Sequence, residues 1–140
     1  MIIREFNNIE EIQKYYDKGS NTYIFEENEE PIDLVVFNFD LNVKANIKAL
    51  NISVDNINAI DINACDIEAV VINARDIKAW EIKSWDINAR NISYRAVCFA
   101  YKNIKCKSIK GRRKNAKHFV LDGKLEVEED EKQRSIRKVI

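Results

Sequence analysis

Between residues 46 and 99 the chain repeats itself every five residues, a period that neither a helix nor a flat strand can turn into a core. Ile stands at 47, 52, 57, 62, 67, 72, 77, 82, 87 and 92, and Val97 continues the series. Asn or Asp usually precedes it, as at Asn46, Asn51, Asn56, Asp61, Asp66, Asp76, Asp86 and Asn91. Two residues after it comes a small residue, in Ala49, Ala59, Ala64, Ala69, Ala74, Ala79, Ser84 and Ala89. On an α-helix a step of five advances about 500°, so successive Ile would spiral around the axis without forming an apolar stripe. On a straight strand a step of five reverses parity, so they would alternate between faces. A shared core requires the chain to turn once per repeat. Ile and the small residue then point inward from a short strand. The Asn or Asp falls at the corner, where its side chain can bond nearby backbone amides.

Short sides and corners make a coil. Four sides close a square of about 20 residues, and coils stack about 4.8 Å apart through β-type hydrogen bonds. The expected fold is an all-β solenoid of about three square coils over residues 46–110. A low-complexity disordered tract is the competing reading. Ten Ile in register, with no Pro or Gly in the run, weigh against it. The stretches 61–69 (DINACDIEA) and 76–93 (DIKAWEIKSWDINARNIS) resemble the pentapeptide-repeat proteins, which form right-handed square β-helices. They are similar above all to a divergent "DINA"-type repeat of small proteins in low-GC bacteria and their phages. The central apolar residue and the preceding Asn/Asp match the family pattern. The small residue departs from it, falling two after the centre where the family has it two before. The resemblance implies no enzyme activity.

The flanks read as ends for the coil. Residues 1–45 form an N-terminal cap, which a solenoid needs to cover unpaired backbone edges. Within it a helix is expected over 8–18, with Asn8 and Glu11 as a capping box and Gly19 as the stop. Ile9, Ile12 and Tyr16 would share its face. Strands follow near Thr22–Phe25 and Ile32–Val43. At the other end Ile104 lies seven residues beyond Val97, so two residues are inserted. Tyr94 and Phe99 take the small position, as if filling a widening end, and Cys106 takes it after Ile104. Residues 111–140 read as a basic loop, a hairpin from Val120 to Leu125 around Asp122-Gly123, and a charged tail over 128–138.

The 23 basic and 23 acidic residues cancel, which disfavours both a strongly basic nucleic-acid binder and a wholesale acidic DNA mimic. They are unevenly spread, with 10 acids and 4 bases in residues 1–45 but 6 acids and 13 bases in residues 98–140. No apolar run approaches the roughly 18 residues that cross a bilayer. The start MIIREFNN does not read as a signal peptide. Three cysteines, Cys65, Cys98 and Cys106, make no disulfide framework. The expectation is a cytoplasmic protein with no membrane contact. Zinc would need Cys98, Cys106 and His118 together, at spacings unlike the common zinc patterns. The corner Asn or Asp recurs in most repeats, which marks the Asp residues there as structural rather than as an acid/base pair. No catalytic set, metal or cofactor is expected.

Two regions remain as candidates. With a square coil, the variable fifth position sorts into four columns: Asp55, Arg75 and Arg95; Ile60, Trp80 and Ala100; Ala45, Cys65 and Trp85; Leu50, Val70 and Arg90. Ile60, Cys65, Trp80 and Trp85 would then form an apolar patch, with Arg75 and Arg95 alongside. Such a patch needs a cover, whether the flanking segments, a homodimer through the Trp face, or a docked protein partner. The second region is Lys102, Lys105, Lys107, Lys110, Arg112, Arg113, Lys114 and Lys117, eight bases with no acid among them, bordered by Tyr101 and Phe119. Alternating on a strand, several would share one outer face and suit phosphates or an acidic partner. Alternatively the acidic loop of Glu26, Glu27, Glu29, Glu30 and Asp33 neutralises them. The expected function is non-enzymatic binding of a macromolecule. Small size, the lack of a catalytic set, the presented surface and the resemblance together suggest a phage- or mobile-element-encoded inhibitor of a host defence complex, of the anti-CRISPR or anti-restriction type. Nucleic-acid binding through 102–117 and a self-assembling solenoid are the alternatives.

Overall fold

The computed structural model describes residues 1–128, so the tail expected over 128–138 lies, beyond Glu128, outside the described residues. The chain winds into a β-solenoid of about five turns. Every Ile from Ile47 to Ile92 in the five-residue series points inward and is at most 2% exposed. The β-branched Ile suits an extended side, and its burial drives the winding. Ala59, Ala64, Ala69, Ala79, Ser84 and Ala89 are buried beside them, as the repeat predicts.

The coil has three sides, not the four expected. Ile52 pairs in parallel with Ile67, Ile57 with Ile72, and Ile62 with both Ile47 and Ile77, each fifteen residues apart. Three inward Ile and their small partners then share each coil, close-packed about the axis. Of the corner Asn and Asp, Asn103 accepts from a backbone amide as expected, that of Lys124 at 3.0 Å, but others act differently. Their side chains bond one another from coil to coil. Asn91 Nδ2 donates to Asp76 Oδ1 at 2.7 Å, Asn103 Nδ2 to Asp86 Oδ1 at 3.3 Å, and Ser108 Oγ to Asn91 Oδ1 at 2.7 Å. Coils about 4.8 Å apart repeat the same residue type at the same corner, so donor meets acceptor along the stack.

The N-terminal strands join the stack. Leu34–Phe37 and Leu41–Asn42 pair in parallel with Asn51–Asn58, and Thr22–Ile24 pairs with Asn46–Lys48. The strand expected over 32–43 is interrupted between Phe37 and Leu41, where the chain rounds a corner. The helix is a short 3-10 turn, Ile9–Tyr15. Asn8 Oδ1 accepts from the Glu11 amide at 3.2 Å, but Glu11 reaches back to the Asn7 amide rather than to Asn8. Its three-residue period buries Ile12 and Tyr15 and leaves Tyr16 exposed, so Tyr16 is not on the packed face, and the helix stops before Gly19. Phe6, Tyr15, Phe25 and Phe37 plug this end of the coil, with ring centres 5.2 to 5.9 Å apart.

At the other end the coils widen. Ile92 pairs with Ile109, Val97 with Lys117 and Ile104 with Leu125. Tyr94 points inward and is 1% exposed. The next inward residues are Cys98 and Ala100, one position later than the repeat dictates, so Val97 and Phe99 turn outward. The two inserted residues thus split between two corners, one before Cys98 and one before Ile104. Val120 to Leu125 forms no hairpin. Lys117–Val120 and Leu125–Val127 each pair in parallel with the preceding coil, and Asp122-Gly123 rounds the corner between them. A Cβ on Gly123 would stand 1.8 Å from the Lys102 carbonyl oxygen, so only glycine lets this corner seat on the coil below.

Candidate interaction surface

A fifteen-residue coil sorts the variable positions into three corners. On the first, the Trp80 amide donates to the Cys65 carbonyl at 2.7 Å, and the Arg95 guanidinium lies 4.6 Å over the Trp80 ring. On the second, Ser84 Oγ donates to the Val70 carbonyl at 3.0 Å, Trp85 packs against Tyr101 at 4.9 Å, and Lys102 Nζ lies 5.6 Å from the Trp85 ring. On the third, the Arg75 amide donates to the Ile60 carbonyl at 2.7 Å, and the Lys107 amide to that of Arg90 at 2.8 Å. The four expected columns are therefore corrected. Ile60 lies half-buried under Arg75, apart from both tryptophans. Asp55, Arg75 and Arg95 belong to three different corners. Arg75 is engaged with Asp61 at 3.0 Å and Asp76 at 3.8 Å.

Trp80 and Trp85 flank one side of the coil, and they are 49% and 48% exposed. Above them, the parity change brings Phe99 to the outer surface, where Phe119 packs on it at 5.0 Å. Glu68, Lys83, Trp85, Phe99 and Tyr101 line a shallow cleft there. One side thus carries five aromatic rings, with Arg95, Lys102 and Lys83 set among them. The sequence flags the tryptophans. Phe99 is missed, because in strict register it would face inward.

The basic segment does not form one face. It winds around the last coil as a collar. Lys102 stands by Trp85, and Lys105 pairs with Glu128 at 3.5 Å. Lys107 lies on the third corner, and Lys110 is level with Ser93 on the third side. Arg112 Nη2 donates to the Ala79 carbonyl at 2.7 Å, which takes it back to the first corner. Arg113 and Lys114 are exposed on the loop after Gly111, and Lys117 opens the last full side beside Val97. The acidic loop sits at the opposite end, where Glu27 holds Arg4 at 2.8 Å and Asp33 accepts from the Ile2 amide at 2.6 Å. Among the described residues no ion pair joins that loop to the collar.

Burial pushes the Cys98 thiol up to about 12 and that of Cys106 to about 11, so neither is a thiolate nucleophile near neutral pH. His118 Nδ1 lies 2.6 Å from the Tyr94 hydroxyl. Among the described residues no three His, Cys, Asp or Glu side chains are grouped to hold a metal, and no helix is long and apolar enough to cross a membrane.

Fold and surface together define a capped, three-sided β-solenoid with an aromatic side and a basic end. Comparison with protein-family models, with curated proteins and with solved structures finds no match.

Proposed function

We propose that this chain is a non-enzymatic cytoplasmic interaction protein of the pentapeptide-repeat-like kind, binding an acidic protein partner through the Trp80–Trp85 side. One observation carries the reading: the exposed tryptophans are held in place and each has a cation against it. Arg95 covers Trp80, and Tyr101 and Lys102 lie against Trp85. Trp, Tyr and Arg are the usual anchors of interfaces, and rings already fixed by neighbours lose little freedom on binding. Single-stranded nucleic acid would stack bases on open ring faces. Here one face of each indole is already occupied from within, which favours packing by protein side chains. The surrounding Lys83, Arg95 and Lys102 favour an acidic rim on the partner.

A phage- or mobile-element-encoded inhibitor of a host defence complex is the specific form of this proposal. It draws on the repeat resemblance and on a rigid surface suited to blocking a larger assembly. The second reading is phosphate-backbone binding by the collar, which rests on its eight cations. The test is affinity capture from nuclease-treated host lysate with the native chain and with Trp80→Ala/Trp85→Ala. The double variant should keep the native circular dichroism and lose the captured protein. Undiminished capture by the folded variant would remove the aromatic side from the account. A gel shift that appears at low salt and survives the double variant would move the function to the collar.

A further inference from the structure

The third corner carries a separate constellation, away from the aromatic side. Arg75, Arg90 and Lys107 stand on three successive coils, about 4.8 Å apart along the stack. With Asp76 and Glu128 they line an open cleft of about 520 Å³. Its acids are already engaged. Asp76 accepts from Asn91 at 2.7 Å and lies 3.8 Å from Arg75, and Glu128 pairs with Lys105 at 3.5 Å. Arg75 is also held by Asp61 at 3.0 Å. Arg90 and Lys107, whose backbones are hydrogen-bonded at 2.8 Å, have no ion-pair partner among the described residues. Two like charges stacked in one cleft repel, and an anion bridging them relieves that repulsion. A guanidinium suits two-point contact with phosphoryl oxygens, and an ammonium adds a compact point charge beside it.

We propose that this corner binds a phosphate chain of at least two linked phosphoryl groups, one on Arg90 and the next on Lys107. Free inorganic polyphosphate and the phosphate tail of a nucleotide share this chemistry. Nothing in the reading depends on the aromatic side.

The full chain is titrated with orthophosphate, pyrophosphate, triphosphate and ATP, followed by calorimetry and by amide NMR shifts. Pyrophosphate should bind at least tenfold more tightly than orthophosphate, with the largest shifts at Arg90, Asn91, Lys107 and Ser108. Arg90→Gln/Lys107→Gln, which removes both charges and leaves a shorter polar side chain at each outward position, should weaken pyrophosphate at least tenfold with unchanged circular dichroism. Lys110→Gln, on the next side, should leave binding as it is. ATP tighter than triphosphate assigns a nucleotide, and equal affinity assigns an inorganic chain. Both results support the cleft. Equal affinity for orthophosphate and pyrophosphate, shifts centred on Arg112 to Lys117, or full binding by the folded double variant would each overturn the proposal.

Discussion

Near the C-terminal end of the stack Tyr94 fills the interior, and the inward residues that follow are Cys98, Ala100, Ile104 and Cys106, three of them small. The two buried cysteines bear on how stability responds to pH. The thiols of Cys98 and Cys106 are pushed up from 9.0 to about 12 and about 11, chiefly by burial. Tyr15 rises from 10.0 to about 12, again mainly through burial and then through its hydrogen bond to Glu27. In each case the folded state keeps a proton that the unfolded state gives up first. The stabilisation they provide is complete below about pH 9 and is lost as pH climbs towards the raised values. The urea midpoint should hold from pH 7 to about 8.5 and then fall towards pH 11. Cys98→Ala lowers the midpoint at every pH by its cavity but should make the alkaline fall shallower. An equally steep fall in that variant would assign the effect to other groups.

At the scale of the element, the unit is a five-residue side, and its content was largely readable. Alternation within the repeat tells which residues face inward, and the structure agrees from Ile47 to Ile92. What escaped was where an extra residue enters. Two residues between Val97 and Ile104 can be added together or separately, and composition does not choose between these. Splitting them flips the parity of the side between and turns Phe99 outward, which builds the upper half of the aromatic surface. The Asp-Gly pair misleads for a similar reason. It favours a tight turn, and a coil corner is also a tight turn. The parallel pairing of the strands on either side decides between hairpin and corner. The seating of this corner gives a prediction. The Ile104 amide donates to the Lys124 carbonyl at 3.0 Å, and the Glu128 amide to Cys106 at 2.7 Å. Gly123→Ala should lift the corner and speed exchange at the amides of Ile104 and Glu128 at least tenfold, while Ile67 and Ile72 exchange as before. Unaltered exchange at Ile104 and Glu128 would show that the corner has room for a methyl group.

Across the whole molecule, the period in sequence implies a coil but not the number of its sides. That number depends on how much side-chain volume three or four Ile–Ala pairs can fill, a property of the assembled cross-section. It also decides the neighbours of every variable residue. Steps of twenty would put Arg95 over Arg75. Steps of fifteen put it over Trp80, 4.6 Å away. The contact of Arg95 with Trp80 and the stacking of Arg75 and Arg90 on one corner follow from this count. The zero net charge is likewise a sum over separated parts, with an acidic cap at one end and the collar at the other.

The count can be read from the native Cys65. Its carbonyl accepts from Trp80 at 2.7 Å, one coil up on the same corner. Stacked neighbours about 4.8 Å apart fall within the Cα separations that a disulfide spans. Oxidation followed by peptide mapping of two single variants, Trp80→Cys and Trp85→Cys, tests it directly. The account predicts an intramolecular disulfide to Cys65 in Trp80→Cys and none in Trp85→Cys. A bridge to Cys65 in Trp85→Cys but not in Trp80→Cys would mean a twenty-residue, four-sided coil and would contradict the account.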